Sequence, residues 1–369
     1  MNRSITATGA RGFSIVEIMV AMALAMLGMI VIFQVFAVSE GYNRTASSGS
    51  DAQQNGAYSL TMLEQEIRQA GWGFNNSQVV GCNVLAYSQT IGGPPAALTP
   101  GAAAGAYILA PIIIDAAGTT TGSDTLEVNY GNQNLLVAPV ALFQSQTNST
   151  DNYVVTNGYG FSVGDVVLAT QPPLASTLAQ VTSLPAGASP TLAHDASKTA
   201  YPYNQPGGSG VAYNTNARLY DLGAAPTRDV FSVVNNQLVV VTSLASAAQN
   251  VVSDNIVQLK AQYGKDDGSG GGTAGDGIVD GYDNVTPSSA TACTTNNATA
   301  WNQVLTVRVG LVARSSQPEK PSGPGPACDT TTTAPSWSGG NFDLSADPNW
   351  MCYRYKVFET VIPVKNNVY

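Results

Sequence analysis

A long run of apolar residues lies close to the start of the chain. Every residue from Ile18 to Phe33 is apolar or glycine, and after Gln34 the pattern resumes with Val35 to Val38. A helix that spans a bilayer needs about 20 predominantly apolar residues, which this stretch supplies. A core helix of a globular protein would show a polar face, and none is found here. The pattern therefore predicts a transmembrane helix over residues 13–38.

The helical pattern continues after the apolar run with a different character. Three glycines interrupt it, and each costs about 1 kcal/mol relative to alanine in a helix interior. They are Gly41, Gly49 and Gly56. We therefore expect residues 39–55 to be bent or partly unwound. Beyond them, four apolar positions form one stripe that suits packing on a sheet. They are Leu60, Leu63, Ile67 and Ala70, and Gly71 follows as a helix stop. An amphipathic continuation of the helix is thus predicted over residues 39–71.

From residue 72 to residue 369, short strand-like runs alternate with loops. Alternating apolar and polar positions predict a strand at 124–130, and short β-like runs predict two more at 164–170 and 178–182. Segments 230–234 and 237–241 predict a hairpin, because Asn235 and Asn236 tolerate the positive φ of a tight turn. Residues 256–263 fit a strand or a helix, and residues 301–313 and 353–364 are the most strand-like. Pro- and Gly-rich loops are predicted at 92–105, 202–210 and 318–326. The predicted fold class is α+β, a long N-terminal membrane and packing helix followed by one antiparallel β-rich domain with long loops.

The composition favours an exported protein over a cytosolic enzyme. Only 11% of the 369 residues are charged, and the net charge is −9. Because nucleic acid is held largely by basic surface, we expect no nucleic-acid partner. The four cysteines, Cys82, Cys293, Cys328 and Cys352, lie beyond the apolar run and fit two disulfides in an oxidising compartment. Of the three connectivities we favour Cys328–Cys352, with Cys82–Cys293 by exclusion, and the other two stay open at this point.

The residues before the apolar run carry the most specific signal. Residues 1–12 form a short leader with Arg3 and Arg11 and no acidic residue, and the following segment reads Gly12-Phe13-Ser14-Ile15-Val16-Glu17. An ordinary secretory signal has an uncharged apolar region of 7–15 residues, and a plain membrane anchor gives no reason for Glu17. The combination resembles the class III signal of type IV pilins and pseudopilins. That resemblance implies cleavage after Gly12 by a prepilin peptidase, methylation of the new amino terminus at Phe13, and a role for Glu17 in assembly.

The order of the later elements is similar to that of PilW-type minor pilins, relatives of the type II secretion pseudopilin J. The similarity rests on residues 63–71, 164–168, 235–236, 256–263 and 357–366. It implies a pilin-like domain in a structural minor pilin that helps to initiate pilus assembly, with other minor pilins and the major pilin as partners. The protein would sit in the inner membrane with a periplasmic domain and then at the pilus tip.

Two alternatives to a priming minor pilin stay open. One is the pseudopilin J of a secretion system. The other is a tip adhesin that binds a surface ligand, because residues 92–122 and 185–214 have no counterpart in the resemblance and look like insertions. We also expect residues 301–313 or 353–364 to form an apolar edge strand that pairs with other minor pilins.

Catalytic chemistry is not indicated, and one metal site is a weak candidate. The single histidine, His194, lies in a polar segment without a nucleophile motif and is expected to be a surface residue; we predict that the protein is not an enzyme. The Gly-rich segment 266–283 carries five carboxylates of the kind that bind Ca²⁺. They are Asp266, Asp267, Asp276, Asp280 and Asp283. The spacing of an EF-hand is missing, so a solvated loop is the competing interpretation.

Overall fold

A single long helix precedes the sheets. The computed structural model describes residues 12–74, 79–87, 106–133, 138–244, 248–287, 295–321, 327–364 and 366. Helix α1 (Ile15–Gln69) is continuous through all three of its central glycines, so the predicted unwinding between residues 39 and 55 is wrong. The helix ends at Gln69 with Ala70 as its C-cap, and Gly71 follows with a φ of 82° that only glycine adopts readily. There the Gly71 N–H donates to the Asn129 carbonyl at 2.8 Å and ties the helix end to the sheet.

Nineteen strands and a second helix are found in the described part of the chain. The first ten strands are β1 (Cys82–Leu85), β2 (Ala106–Leu109), β3 (Ile112–Asp115), β4 (Thr125–Tyr130), β5 (Val140–Ala141), β6 (Tyr153–Val154), β7 (Val166–Thr170), β8 (Ser176–Gln180), β9 (Thr191–Leu192) and β10 (Arg218–Asp221). The others are β11 (Thr227–Val234), β12 (Gln237–Thr242), β13 (Asn250–Asp254), β14 (Ile256–Lys265), β15 (Gly281–Asp283), β16 (Val304–Arg314), β17 (Ser336–Trp337), β18 (Gly340–Asn341) and β19 (Tyr355–Pro363). Helix α2 (Thr295–Asn302) precedes β16, and 3₁₀ turns lie at Ser269–Gly271 and Trp350–Cys352.

The strands form three principal sheets and two small ribbons. The six-stranded sheet has the order β2-β1-β8-β7-β10-β5, the five-stranded sheet β13-β12-β11-β4-β3 and the four-stranded sheet β15-β14-β16-β19. The ribbons are β17-β18 and β6-β9. Every pairing between the named strands is antiparallel except that of β1 with β8. The predicted α+β class is therefore confirmed.

The hairpin of β11 and β12 confirms the turn predicted from sequence. Asn235 and Asn236 join the strands with φ of 52° and 61°, which is the left-handed conformation that tight hairpin turns require. Residues 256–263 fall within strand β14. Residues 353–364 contain β19, at the edge of its sheet. Trp301 lies in α2, and β16 runs between β14 and β19, so the prediction of residues 301–313 as an edge strand is wrong.

The main core lies where the C-terminal half of α1 meets the five- and four-stranded sheets. The predicted apolar stripe faces inward, since Leu63, Ile67 and Ala70 are fully buried. The sheets contribute buried aliphatic side chains of alternating positions in β3, β4, β14 and β16. Residues 106–122, part of a stretch that looked like an insertion, supply β2 and β3 instead of a loop.

The six-stranded sheet has clusters of its own on its two faces. One face carries Val166, Leu168 and Leu178, and the opposite face carries Val167 and Ala179, as expected for strands buried on both sides. Two of its strands, β1 and β2, precede β3 in the chain, and the other four lie between β4 and β11. This sheet is therefore formed by segments that interrupt the sequence of the main core. We call it the six-stranded region.

Close packing against β19 accounts for one of the helix glycines. A Cβ added to Gly56 would lie 2.1 Å from Cε2 of Phe358, whereas one added to Gly49 would meet nothing within 4 Å. Near this contact, Lys356 Nζ donates to Gln53 Oε1 at 2.7 Å. The absence of a side chain at Gly56 therefore lets the Phe358 ring pack directly on the helix backbone.

The two glycines predict opposite responses to alanine. Gly49→Ala should stabilise the protein by up to about 1 kcal/mol, because alanine is the better helix former. Gly56→Ala should instead lower the free energy of unfolding by about 1–3 kcal/mol, since the Phe358 ring must move to make room for the new methyl group. Thermal unfolding of the detergent-solubilised full-length protein measures both. In a protein that also carries Phe358→Ala, Gly56→Ala should become stabilising. If Gly56→Ala changes the stability of the wild type and of the Phe358→Ala protein equally, the contact between Gly56 and Phe358 is contradicted.

Candidate functional site

The start of α1 presents the segment predicted to be processed. Ser14 is the N-cap, in extended conformation, and its Oγ accepts the Val16 N–H at 3.3 Å. Gly12 and Phe13 lie before the helix, and the side chain of Phe13 is 78% exposed. The Gly12–Phe13 peptide bond is therefore outside the helical hydrogen-bond network and next to an exposed aromatic residue.

Sequence reasoning missed the cap, although the signal is present. Ser14 and Glu17 have the spacing of a capping box, a serine followed three residues later by glutamate. Among the described residues, nothing forms a hydrogen bond or ion pair with the Glu17 side chain, and Ser14 Oγ accepts the N–H of Val16 instead of that of Glu17. Ser14 is therefore a simple N-cap, and the capping box is not formed. Glu17 lies in the first turn, where the helix dipole favours a negative charge.

The N-terminal half of α1 buries no side chain against the domain. Every residue from Gly12 to Asn43 is exposed, and the first buried residue of the helix is Ser48. Residues 15–43 of the helix measure about 44 Å at 1.5 Å per residue, more than the roughly 30 Å of a hydrocarbon core. By length and composition this is the one helix in the described part of the chain that is able to cross a membrane. Its large apolar surface needs a bilayer or other apolar helices to cover it.

The carboxylates of the 266–283 loop bind the loop's own backbone. Asp266 is buried and accepts the N–H groups of Gly275 and Gly277 at 2.6 and 2.7 Å. Asp280 accepts the Gly268 N–H at 2.6 Å. These bonds give both carboxylates partners within the loop itself.

The three other carboxylates of this loop also have partners. Asp283 forms an ion pair with Lys265 at 2.6 Å. Asp267 accepts the Ser269 N–H, and hydrogen bonds from Ser269 lower the pKa of Asp267 below its usual value. Asp276 accepts the Ile278 N–H at 2.9 Å. Across the described residues, no group of three or more His, Cys, Asp or Glu side chains converges on a possible metal position. The structure thus does not bring the five aspartates together as a calcium site.

The cysteines follow the favoured pairing as far as they are described. Cys328 and Cys352 form a disulfide with a Cα–Cα distance of 4.8 Å and a separation of 24 residues. Cys82 is also disulfide-bonded. Cys293 lies outside the described residues, so Cys82–Cys293 stays a prediction.

His194, which the sequence predicted to be a surface residue, is half-buried and has two partners. Its Nε2 lies 2.9 Å from the Asp151 carbonyl oxygen, and its ring lies 4.6 Å from that of Tyr153. Burial lowers the pKa of His194, which favours the neutral imidazole. A hydrogen bond and an aromatic contact account for this histidine without a catalytic role.

Comparison with known proteins identifies part of the chain. Residues 228–366, less than half of its length, match the model of the family described as Type IV Pilus-assembly protein W. Neither a curated protein nor a solved structure matches the chain. The matched segment contains the whole four-stranded sheet and the β11–β12 hairpin, and it excludes α1 and most of the six-stranded region. Together with the exposed apolar helix, the match indicates a membrane-anchored protein of pilus assembly. The comparison thus agrees with the resemblance drawn from the sequence: residues 228–366 are similar to the PilW family of pilus-assembly proteins.

Proposed function

We propose that this chain is a minor pilin that helps to initiate type IV pilus assembly, in a tip complex with other minor pilins. The observation that carries the proposal is the bare apolar helix with Glu17 near its start, attached to a PilW-type domain. Residues 1–12 are the leader, residues 13–38 cross the inner membrane, and the domain is periplasmic until the protein enters the pilus.

The exposed helix has two successive environments. In the bilayer, its apolar side chains are covered by lipid. In a fibre, they are covered by the same kind of helix from neighbouring subunits, so transfer from one environment to the other keeps the apolar surface buried. The domain does not have to refold for this transfer, because residues 12–43 have no buried contact with it.

Glu17 sets the register of this packing. A charged side chain at the centre of a membrane helix costs roughly 2.5–3.5 kcal/mol on insertion scales, and such residues commonly pair with one another. The methylated amine of Phe13 on a neighbouring subunit supplies the cation. Only one relative position of two helices brings the amine and the carboxylate together, so the ion pair selects that position.

The size of the domain supports a position at the tip. The six-stranded region adds a second set of cores beside the main one, with long loops such as residues 195–217. A subunit of this bulk is hard to repeat in a tightly packed helical fibre, whereas a terminal position leaves room on the outer side.

Processing is the first test. The membrane-extracted protein should begin with N-methylated Phe13, as determined by intact-mass and peptide mass spectrometry. Gly12→Val, which places a branched side chain at the cleaved bond, should leave residues 1–12 attached. A mature N-terminus close to Val38, as an ordinary signal peptidase would produce, would contradict the proposal.

Replacement of Glu17 tests the ion pair. Glu17→Val should insert into the membrane at least as well as the wild type, because a charge leaves the apolar span. Its incorporation into fibres should fall about tenfold or more, since removal of one partner of a buried ion pair costs roughly 3–5 kcal/mol. Glu40→Val is the matched control on the same helix, beyond residue 38, and should incorporate normally. Equal incorporation of both variants in sheared pili would show that Glu17 has no pairing role.

Abundance tests the placement. Quantitative mass spectrometry of sheared pili should find this chain far below the level of the major pilin. A strain that lacks this subunit should have far fewer pili than the low abundance of the subunit would suggest, because the subunit acts when assembly begins. An amount comparable with that of the major pilin would refute the tip position, and unchanged piliation in the deletion strain would refute the priming role.

A further inference from the structure

Strand β19 ends the four-stranded sheet with a long, regular open edge. It pairs with β16 from Tyr355 to Pro363 with no irregularity in the register, and no strand lies on its other side in the described structure. Alternate side chains of β19 lie on the two opposite faces of the sheet. Phe358 and Ile362 lie on the α1 side, whereas Tyr355 and Val357 pack near Trp337 and Trp350.

Two backbone hydrogen bonds determine which residues of β19 face β16. The Val364 N–H donates to the Leu305 carbonyl at 2.9 Å, and the Ser315 N–H donates to the Arg354 carbonyl at 2.8 Å. Hydrogen-bonded pairs alternate along an antiparallel ladder. The even-numbered residues of β19 therefore bond to β16, and the odd-numbered ones turn their backbone groups outward. The outward N–H and C=O groups belong to Tyr355, Val357, Glu359 and Val361, and Pro363 adds a carbonyl.

Another edge of the main core is closed by side chains. On β3, the Ile114 N–H donates to Oη of Tyr263 at 2.6 Å, and Oγ1 of Thr286 donates to the Ile114 carbonyl at 2.6 Å. The remaining edges are shorter or irregular. Strand β15 has three residues, and the pairing of β13 is interrupted by a bulge at Leu238 and Val239. An open edge of nine residues is therefore exceptional in this domain.

The charged residues of β19 do not protect its edge. Charged side chains commonly blunt exposed edge strands, but Lys356 is bonded to Gln53 of α1. Glu359 accepts the N–H and Oγ of Ser338 at 2.7 and 2.9 Å. Val361, at 47% exposure, is left as the outermost apolar residue of the strand.

We propose that the outer edge of β19 binds an edge strand of a different pilin-type subunit, extending the four-stranded sheet across a subunit boundary. This inference rests on the proposed function. Strand β19 runs in the same direction as α1, since Gln53 meets Lys356 and the side chain of Asn366 donates to the Arg68 and Gln69 carbonyls. Two copies that paired these edges across a twofold axis would have antiparallel strands and hence antiparallel helices. Both anchors could not then enter one membrane from the same side, so β19 does not pair with β19 of a second copy, and we assign the edge to a different subunit.

Amide hydrogen exchange with single-residue resolution tests the pairing directly. The samples are the full-length protein in detergent, alone and purified with its co-expressed minor pilins. In the protein alone, the odd-numbered amides 355–361 should exchange quickly, and the even-numbered amides should be protected by β16. In the complex the odd-numbered amides should become protected as well. If they stay unprotected, or if no other pilin subunit co-purifies, the proposal is wrong.

A substitution at Val361 provides an independent test. Val361→Pro removes one outward N–H, keeps every bond to β16, and places a ring where the incoming strand would lie. Val361→Thr keeps the N–H and is the matched control. The proline variant should recover about fivefold less partner or lower still, in line with at least one lost hydrogen bond, whereas the threonine variant should recover a normal amount. Equal recovery by both variants would overturn the proposal.

Two controls make the outcomes separable. Melting temperature and formation of the Cys328–Cys352 disulfide report whether Val361→Pro folds; if it does not, the hydrogen-exchange result decides. Failure of the β19 pairing leaves the processing of Gly12–Phe13 and the effect of Glu17→Val unchanged. Failure of the proposed function appears instead as an unprocessed leader or as normal piliation in the deletion strain.

Discussion

The packing of the second half of α1 against β19 is the contact on which the remaining structure depends. The Phe358 ring lies on the helix backbone at Gly56, and the stripe of Leu63 and Ile67 is fully buried against the sheets. At the far end, the side chain of Asn366 donates to the Arg68 and Gln69 carbonyls, which are among the groups that a helix C-terminus leaves without partners. Strand β19 and the residues after it thus contact the helix along its buried half, together with β4, β13 and β16.

This attachment explains how one helix can belong to two environments. Its first half is covered by nothing in the described structure, and Leu24, for example, is 64% exposed. Its second half is part of a close-packed core, in which displacement of even a few atoms is costly. The helix is continuous from Ile15 to Gln69, so Glu17 and the residues packed in the core belong to one unbroken helix. Any arrangement of the helices in a bundle therefore also arranges the domains, including their sheet edges.

Local patterns predicted the parts of the structure that local physics determines. The apolar run, the Leu60 to Ala70 stripe and the Asn235–Asn236 turn each follow from the periodicity or backbone preference of adjacent residues. The errors have a common origin in contacts between distant segments. Gly56 looked like a weak point in the helix, and its reason is Phe358, about three hundred positions later. Trp301 looked like the start of a strand, but it is buried in α2 with its ring 6.1 Å from that of Tyr263.

The acidic loop at residues 266–283 is another case in which the local sequence does not determine the contacts. Five aspartates among glycines suggested a cation site, yet their composition is equally suited to accepting N–H groups from the loop. The buried Asp266, for example, accepts the N–H groups of Gly275 and Gly277, and a calcium site stays a prediction. Local pattern does not separate edge strands from central ones, because of the two most strand-like segments one contains the central strand β16 and the other the edge strand β19. On β3, a tyrosine and a threonine from other segments close the edge. The outer amides of β19 have no such partner in the described chain, although the domain holds that strand firmly from its other three sides. An edge that is rigid and open at once costs little entropy to pair, so it is suited to binding a preformed strand from outside the domain.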